Sequence, residues 1–228
     1  MKILTTRARA LLASLALAGA LIPFAPAAHA APPHAADAVE VYERDVFVIV
    51  GSTLRNPSAD TDPGAPLFTN AGVGLGVTWG EWSAATAASR ALVMGGPNHP
   101  RTDIRLSLTG LVPGGLYSVY WGTLGPDSEQ PLCPGVERTL PLDSAGSTDG
   151  APAPNAFVVG TAGAVDFHGQ VDGDLLDATQ MFVTVVYHFS GQTSYPFPNL
   201  GELLTQGDTC RSSFGDDSMR HLLVLQKW

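Results

Sequence analysis

The amino-acid sequence predicts an all-β protein, built as one antiparallel β-sandwich with long loops. Ile104, Leu106 and Leu108 alternate with polar residues between positions 103 and 109, which is the two-residue period of a strand with one wet face. Runs rich in β-branched and aromatic residues recur along the chain, separated by segments rich in Gly, Pro and Asp. We therefore expect roughly seven to nine short strands and no convincing helix, a pattern typical of a sandwich.

The N-terminal segment has the three parts of a secretory signal peptide. Lys2, Arg7 and Arg9 supply a positive start, an apolar run follows over residues 10–22, and small residues close the segment. The apolar run is too short for a comfortable membrane span. We therefore predict a signal peptide over residues 1–30 and a secreted, extracellular or cell-surface location, with no integral membrane segment after signal removal.

The rest of the chain is expected to form one domain, with a flexible leader over residues 31–38 and the sandwich over residues 39–228. About two hundred residues can bury one substantial core. Removing the signal peptide lowers the net charge from −9 to −12, because that segment holds three of the 12 basic residues and no acidic residue. An acidic chain without a basic stripe argues against nucleic-acid partners. The expected partner is an extracellular protein or a polysaccharide.

Two stretches in the first half carry strand signals of different strength. Val46–Val50 is an unbroken run of β-branched and aromatic residues, typical of a central strand covered on both faces. Val77, Trp79 and Trp82 indicate a second, short strand. For residues 83–92 an Ala-rich helix and a strand both stay open, and the small area of the helical stripe favours the strand.

The clearest pair of strands lies within residues 103–122. A Pro-Gly-Gly turn begins at Pro113, where Pro fixes φ and Gly tolerates positive φ. After the turn, Tyr117, Val119 and Trp121 fall on one face, which we assign to the core. The sequence therefore predicts an antiparallel pair of strands around this turn.

The second half alternates loops with strands. Strands are expected over residues 164–171, 180–189 and 220–228. The long irregular segments are residues 125–155 and 190–201. Loops on a rigid scaffold are the usual place for binding residues, so these two segments are expected to form the binding surface.

Residues 111–119, which read LVPGGLYSV, resemble the corner of fibronectin type III and related immunoglobulin-like domains. In that corner a Tyr packs inward while its hydroxyl caps a backbone group. The wider arrangement is similar to exported bacterial β-sandwich proteins of unassigned function, through Trp79–Trp82, Leu111–Tyr117, Gly163–Gly169 and His188–Gly191. The resemblance implies an immunoglobulin/fibronectin-like sandwich and brings no catalytic residues with it.

Only two cysteines occur, Cys133 and Cys210, and both lie in segments that read as loops. In an exported chain an even pair most simply indicates one disulfide. Closing so long a loop contributes about 4–5 kcal/mol on the chain-entropy account. The sequence therefore predicts a stabilising bridge between Cys133 and Cys210.

A transition-metal site is one hypothesis for the histidines. His168 and His188 are expected on the non-core faces of two strands that would be hairpin neighbours, with Asp166 on the same face. Two imidazoles and a carboxylate suit Zn²⁺ or Cu²⁺. The alternative is two solvated histidines at unrelated positions.

A calcium site is a second hypothesis. Asp172, Asp174 and Asp177 lie close together in a turn, as do Asp60 and Asp62 in another. Carboxylates in loops suit Ca²⁺, which accepts irregular oxygen ligands. The alternative is ordinary turn chemistry, which the Asp-Gly-Asp sequence also fits.

An aromatic platform for sugar rings is a third hypothesis. Trp79 and Trp82 are three residues apart, so on one strand they would face opposite sides, and one of them would be exposed. The alternative assigns both to the core or its rim, where Trp is more often found.

The function expected from these observations is a secreted, non-catalytic interaction or structural module. The hydrolase, zinc-protease and nucleotide-binding motifs are missing from the sequence, so no catalytic residue is assigned. No cofactor is expected beyond the Ca²⁺ or Zn²⁺/Cu²⁺ of the hypotheses above. Two alternatives stay open: a secreted hydrolase or metal-dependent enzyme with an unrecognised site, and a polysaccharide-binding accessory domain.

Overall fold

The computed structural model describes residues 34–36, 38–96, 98–124, 136–146, 151–175, 180–193, 203–206, 209–212 and 218–227. These residues form sixteen strands and one helix of five residues. Every strand pairing among them is antiparallel. The all-β prediction is therefore confirmed. None of the described helical residues forms a segment long and apolar enough to cross a membrane.

The elements follow one another along the chain as two groups. The first group is β1 (His34–Ala35), β2 (Ala38–Val41), β3 (Val48–Val50), β4 (Thr53–Arg55), β5 (Pro66–Phe68), β6 (Gly74–Thr78), α1 (Trp79–Ser83), β7 (Thr86–Met94) and β8 (Arg101–Thr109). The second group is β9 (Leu116–Leu124), β10 (Val136–Pro141), β11 (Ala156–Val158), β12 (Val165–Asp172), β13 (Gln180–His188), β14 (Leu203–Gln206), β15 (Thr209–Ser212) and β16 (Ser218–Lys227).

Two main sheets organise these elements. Sheet 1 has the strand order β1-β7-β8-β12, and sheet 2 has the order β10-β9-β13-β16-β2, with β11 also paired to β9. The short pairs β3–β4, β5–β6 and β14–β15 form separate two-stranded sheets. Strand formation over β7 confirms the favoured interpretation of the Ala-rich stretch.

One hydrophobic cluster combines buried residues from both main sheets. Its members alternate with polar residues along β8 and β12, whereas on β13 the intervening Phe182 and Val186 are buried as well. In each sheet the cluster members share one face. They include Ile104, Leu106, Leu108 and Phe167 from sheet 1, and Val119, Val183, Val185, Leu222 and Val224 from sheet 2. The immunoglobulin-like form of the sandwich stays a prediction.

The strands on either side of the Pro-Gly turn do not pair with each other, so the expected antiparallel pair is wrong. Strand β8 pairs with β7 and β12, whereas β9 pairs with β10, β11 and β13. The turn therefore carries the chain from sheet 1 to sheet 2. At this corner the Tyr117 hydroxyl accepts a hydrogen bond from the Val112 N–H at 3.1 Å, which is the tyrosine-corner contact expected from the sequence.

The expected leader includes residues that pair with both sheets. His34 and Ala35 lie opposite Ala91 and Arg90 of β7, while β2, beginning at Ala38, pairs with β16. The expectation of a flexible leader is therefore wrong for these residues. The alanines among these residues carry little apolar signal, and it is the backbone pairing, which the sequence does not display, that holds the segment in place.

The run Val46–Val50 is not a central strand, contrary to expectation. Val46 and Val48 are buried, but Ile49 and Val50 are 52% and 55% exposed beside the β3–β4 turn. Gly51 adopts a positive φ of 65° there and reverses the chain. The turn thus ends the run at Val50 and leaves its last two side chains exposed, so the run is not covered on both faces.

Residues 79–83 form a helical turn instead of the expected strand. Thr78 is the N-cap: its hydroxyl accepts from the Glu81 N–H, and the Glu81 carboxylate accepts from the Thr78 N–H. This is a capping box, and the hydrogen bonds from Thr78 lower the pKa of Glu81. The sequence Thr-Trp-Gly-Glu carries that signature, so the helix start was readable.

The long segment expected to be irregular over residues 125–155 contains β10, which pairs with β9. The chain then crosses to sheet 1, where Ser144 bridges Gly169 of β12. Leu142 packs so closely over Gly169 that a Cβ at that glycine would overlap its side chain. Gly169 is therefore required by packing rather than by its φ.

Candidate functional site

The candidate site lies on the face of sheet 1 turned away from the hydrophobic cluster, which we call the outer face. Strand register places Asp103 opposite Gln170, and Arg105 opposite His168. Residues directly opposite on antiparallel strands share a face. The period-2 alternation of β8 and β12 thus brings four polar side chains together, and we call them the outer-face network.

Asp103 is the centre of the outer-face network. One of its carboxylate oxygens accepts from His168 Nε2 at 2.6 Å and from Gln170 Nε2 at 2.9 Å. The other accepts from Arg105 Nε at 3.2 Å. The Asp103 side chain is only 3% exposed, although it belongs to an outer face.

Three donors keep this covered carboxylate ionised. Burial alone would raise the pKa of Asp103, but the hydrogen bonds from His168, Gln170 and Arg105, together with the charge of His168, lower it overall. The partners face solvent, since the side chains of His168 and Arg105 are 38% and 70% exposed. Asp103 therefore fixes one imidazole and one guanidinium on rigid strands.

Asp103 and His168 are arranged like part of a hydrolase active site, without the nucleophile. A carboxylate that orients a partly exposed imidazole is the support of a general base. The nearest hydroxyl on the face, that of Ser107, donates to the Asp166 carboxylate at 2.7 Å. No hydrogen bond joins Ser107 to His168 among the described residues. Asp103 therefore orients the His168 imidazole, but Ser107 is not engaged with that imidazole as a nucleophile would be.

The two histidines of the metal hypothesis lie in different sheets, so their expected pairing is wrong. His168 and Asp166 lie on the outer face of sheet 1, but β12 pairs with β8 and not with β13. His188 is buried in sheet 2, where its Nε2 is hydrogen-bonded to Ser118 Oγ at 2.7 Å. Strand β12 belongs to sheet 1 and β13 belongs to sheet 2, and the sequence patterns of the two strands do not show this difference.

The acidic turns of the calcium hypothesis are placed only in part. Asp172 ends β12 opposite Arg101, Asp174 follows in the next turn, and Asp177 lies outside the described residues. Asp62 accepts a hydrogen bond from the Gly64 N–H, which is ordinary turn chemistry. In the part of the chain that the structure describes, no group of three or more His, Cys, Asp or Glu residues is arranged to hold a metal ion.

Asp60 lies in the same loop as Asp62, in the turn that precedes β5. The predicted bridge between Cys133 and Cys210 stays a prediction, because Cys133 lies outside the described residues. The segment expected as a second binding loop is likewise described only through residue 193.

Trp79 and Trp82 do not form an exposed platform. Trp82 is fully buried, and Trp79 packs partly buried against the hydrophobic cluster. Because α1 is helical, residues three apart lie on neighbouring positions of one side, whereas a strand would have separated them. The expectation that one Trp is exposed is therefore wrong for this pair.

Trp82 instead belongs to a buried chain of hydrogen bonds, which we call the core network. Its indole stacks on the His221 ring with centroids 3.7 Å apart, and its Nε1–H donates to the Tyr42 carbonyl. His221 Nε2 donates to the Trp82 carbonyl at 2.8 Å. His221 Nδ1 therefore accepts from the Tyr117 hydroxyl at 2.9 Å.

The core network holds its histidine neutral. Burial lowers the pKa of His221 to about 4, and the hydrogen bond to the Trp82 carbonyl offsets only part of that effect. Burial also raises the pKa of Tyr117. The network thus closes the core around the tyrosine corner and offers no solvent-facing group.

Of the residues in these two networks, His168, Trp82 and Tyr117 are singled out from the sequence, whereas Asp103, Arg105, Gln170 and His221 are not. The alternation of β8 already places Asp103 and Arg105 on one wet face, and β12 does the same for His168 and Gln170. Pairing β8 with β12 would have revealed the outer-face network. His221 gave no such signal, because it lies at a bulge in the pairing of β13 with β16.

No protein-family model matches the chain, and comparisons with curated proteins and with solved structures gave no match either. A function is therefore inferred from the geometry of the described residues alone.

Proposed function

We propose that this protein is an exported, non-catalytic interaction module of the immunoglobulin-like β-sandwich class. Its binding surface is the outer face of sheet 1. The observation that carries the proposal is the covered carboxylate of Asp103, which holds the side chains of His168 and Arg105 in fixed, solvent-facing positions. Binding groups that are already ordered lose less conformational entropy when a partner docks.

The tyrosine corner supports the choice of scaffold. The contact between Tyr117 and Val112 lies where the chain passes from sheet 1 to sheet 2, and such corners recur in immunoglobulin-like domains. The fold class alone does not identify a ligand. The signal peptide predicted from the sequence and its excess of acidic residues support an extracellular setting.

A hydrolase is the second candidate, favoured by the 2.6 Å contact between His168 and Asp103. In that case His168 would act as the general base and Asp103 would orient it. Water or a substrate hydroxyl would then be the nucleophile, since Ser107 is engaged with Asp166.

One experiment separates the two functions. The chain without residues 1–30 is screened by thermal shift against soluble glycans and peptides, and by chromogenic assay against esters, peptides and glycosides. We expect at least one ligand to raise the melting temperature without turnover, because ligand bound only to the native state stabilises it by mass action.

Two matched variants locate the surface. Ala88 is exposed on the outer face opposite Ser107, whereas Thr53 is exposed in the β3–β4 hairpin. Ala88→Trp should abolish the shift, and Thr53→Trp should leave it. Turnover that disappears in His168→Ala would establish the hydrolase instead. A shift that survives Ala88→Trp, or no shift with any ligand, would contradict the proposed surface.

A further inference from the structure

A row of basic side chains crosses the outer face of sheet 1. Arg90 of β7 lies directly opposite Arg105 of β8, and Arg105 lies directly opposite His168 of β12. Adjacent strands are about 4.8 Å apart, so the three side chains leave the sheet side by side. Both arginines are exposed. We call these three residues the basic row.

The basic row is unfavourable in the free protein. Like charges directly opposite each other on neighbouring strands destabilise a sheet. Asp103 neutralises part of the row through Arg105 and His168, but Arg90 forms no ion pair with any described residue. In a chain with an overall charge of −9, two adjacent and exposed guanidinium groups favour an anionic group on the ligand.

The neighbouring rows limit what kind of anion fits. One flanking row holds Ala88, Ser107 and Asp166, and the other holds Leu92, Asp103 and Gln170. The carboxylates of Asp166 and Asp103 would repel a densely charged anion beside the row. The same rows offer hydroxyl, carboxylate and amide groups, which pair well with hydroxyl groups.

The position of the row on a sheet face argues against a peptide ligand. Extended peptides join sheets at an edge, where main-chain hydrogen bonds supply affinity. The basic row lies across the face of β7, β8 and β12, where the backbone groups are already paired within the sheet. A ligand seated there must be recognised by side chains alone.

From these contacts we propose that the outer face binds a polysaccharide that bears carboxylates at intervals and hydroxyl groups between them, that is, a uronate-containing glycan. Arg90 and Arg105 bind the carboxylate, since guanidinium groups match it with paired hydrogen bonds. Ser107 and Gln170 lie beside them and bind hydroxyl groups. This inference rests on the proposed function, because it names the ligand class of the same surface.

The test uses oligogalacturonate as the probe, with its carboxyl-reduced form and poly-glutamate as comparison ligands. Binding to the chain without residues 1–30 is measured by calorimetry at low and high salt. We expect oligogalacturonate to bind, its carboxyl-reduced form and poly-glutamate not to bind, and affinity to fall as salt rises. Arg90→Ser and Arg105→Ser should each weaken binding about tenfold or more, as loss of a charge-assisted hydrogen bond predicts.

Arg55→Ser is the matched control, since Arg55 is an exposed arginine on β4, outside sheet 1, and it should bind like wild type. The uronate assignment would be overturned if oligogalacturonate does not bind. It would also be overturned if the Arg90→Ser and Arg105→Ser variants bind it as tightly as wild type does. Binding of the neutral glycan or of poly-glutamate that Ala88→Trp blocks would also overturn it, while leaving the proposed function in place. Binding that Ala88→Trp does not affect would overturn both.

Discussion

The core network and the outer-face network each engage a histidine in hydrogen bonds, and they differ in what surrounds it. His221 is fully buried among Trp82 and Tyr117, with a carbonyl and a hydroxyl as partners. His168 lies on an outer face and binds the carboxylate of Asp103. Burial without a charged partner lowers the pKa of the first histidine, whereas in the second network the lowered pKa is that of the acid.

We therefore expect the core network to contribute mainly to stability and the outer-face network mainly to ligand binding. A neutral, satisfied network in the core contributes through packing and through the penalty of leaving its members unpaired. A charged network whose donors face solvent contributes less to stability, because water can solvate the His168 and Arg105 side chains when their partner is lost. Its effect is to fix exposed groups for binding. Substitutions in the two networks should therefore differ in kind as well as in size.

The largest expected effect is the loss of the Trp82 side chain. Trp82→Ala should destabilise the protein by about 3–5 kcal/mol, because it removes a fully buried aromatic ring and uncovers one face of His221. Urea unfolding measures the change. Trp79→Ala is the control in the same helix, and since Trp79 is only partly buried its cost should be clearly smaller. Equal costs would contradict the core network.

The second effect is acid sensitivity that originates in His221. Its folded pKa of about 4 lies below the ordinary value of 6.5, so the unfolded chain binds the proton more readily between these pH values. The stabilising contribution is complete above about pH 6.5 and is lost as pH falls toward 4, about 3 kcal/mol in all. Unfolding free energies measured from pH 7 to 4 should show this slope in wild type, and a shallower one in His221→Gln.

The third effect is smaller and belongs to the tyrosine corner. Tyr117→Phe removes the acceptor of the Val112 N–H and the donor to His221 while keeping the ring. The expected cost is about 1–3 kcal/mol, as for buried groups left without a partner. Tyr187→Phe is the control on the same core face. A cost no larger than that of Tyr187→Phe would show that the corner hydrogen bonds contribute nothing.

The fourth effect tests the outer-face network. Asp103→Asn should cost about 1 kcal/mol at neutral pH, because a carboxylate that accepts charge-assisted hydrogen bonds is replaced by an amide. The pKa of Asp103 is lowered in the folded protein, so its contribution is present above the ordinary value of 3.8 and is lost as pH falls further. Wild type and variant should converge in strong acid, and a difference that persists there would contradict an ionic origin.

The smallest effect is expected at Arg90. Arg90→Ser should change stability by no more than about 0.5 kcal/mol, and toward stabilisation, because it relieves the repulsion with Arg105. Thermal unfolding at low salt measures it, where repulsion is least screened. A destabilisation of more than about 1 kcal/mol would mean that Arg90 has a structural role.

The fold class could be predicted because alternation reports which face of a strand is buried. The core positions of β8, such as Ile104 and Leu106, and those of β13, such as Val183 and Val185, are the positions that the pattern indicates. Which strands pair is a different matter. Alternation is the same whichever neighbour a strand takes, so it could not show that β12 joins sheet 1 while β13 joins sheet 2.

The candidate site could not be predicted without knowing which strands pair. Asp103 and His168 were visible as polar residues on wet faces, but only the pairing of β8 with β12 makes them partners. The sequence pattern places Trp82 on a strand, where its neighbour Trp79 would face the other side. The capping box of Thr78 and Glu81 overrode that assignment by starting a helix.

Two strands that are far apart in the sequence meet in sheet 2, where β2 lies beside β16. In chain order β2 is the second of the described strands and β16 is the sixteenth, so β2 is synthesised long before β16. Pairings between segments so distant in sequence form slowly, since a long loop must close before any contact stabilises it. The β2 edge of sheet 2 therefore cannot form until β16 has been synthesised.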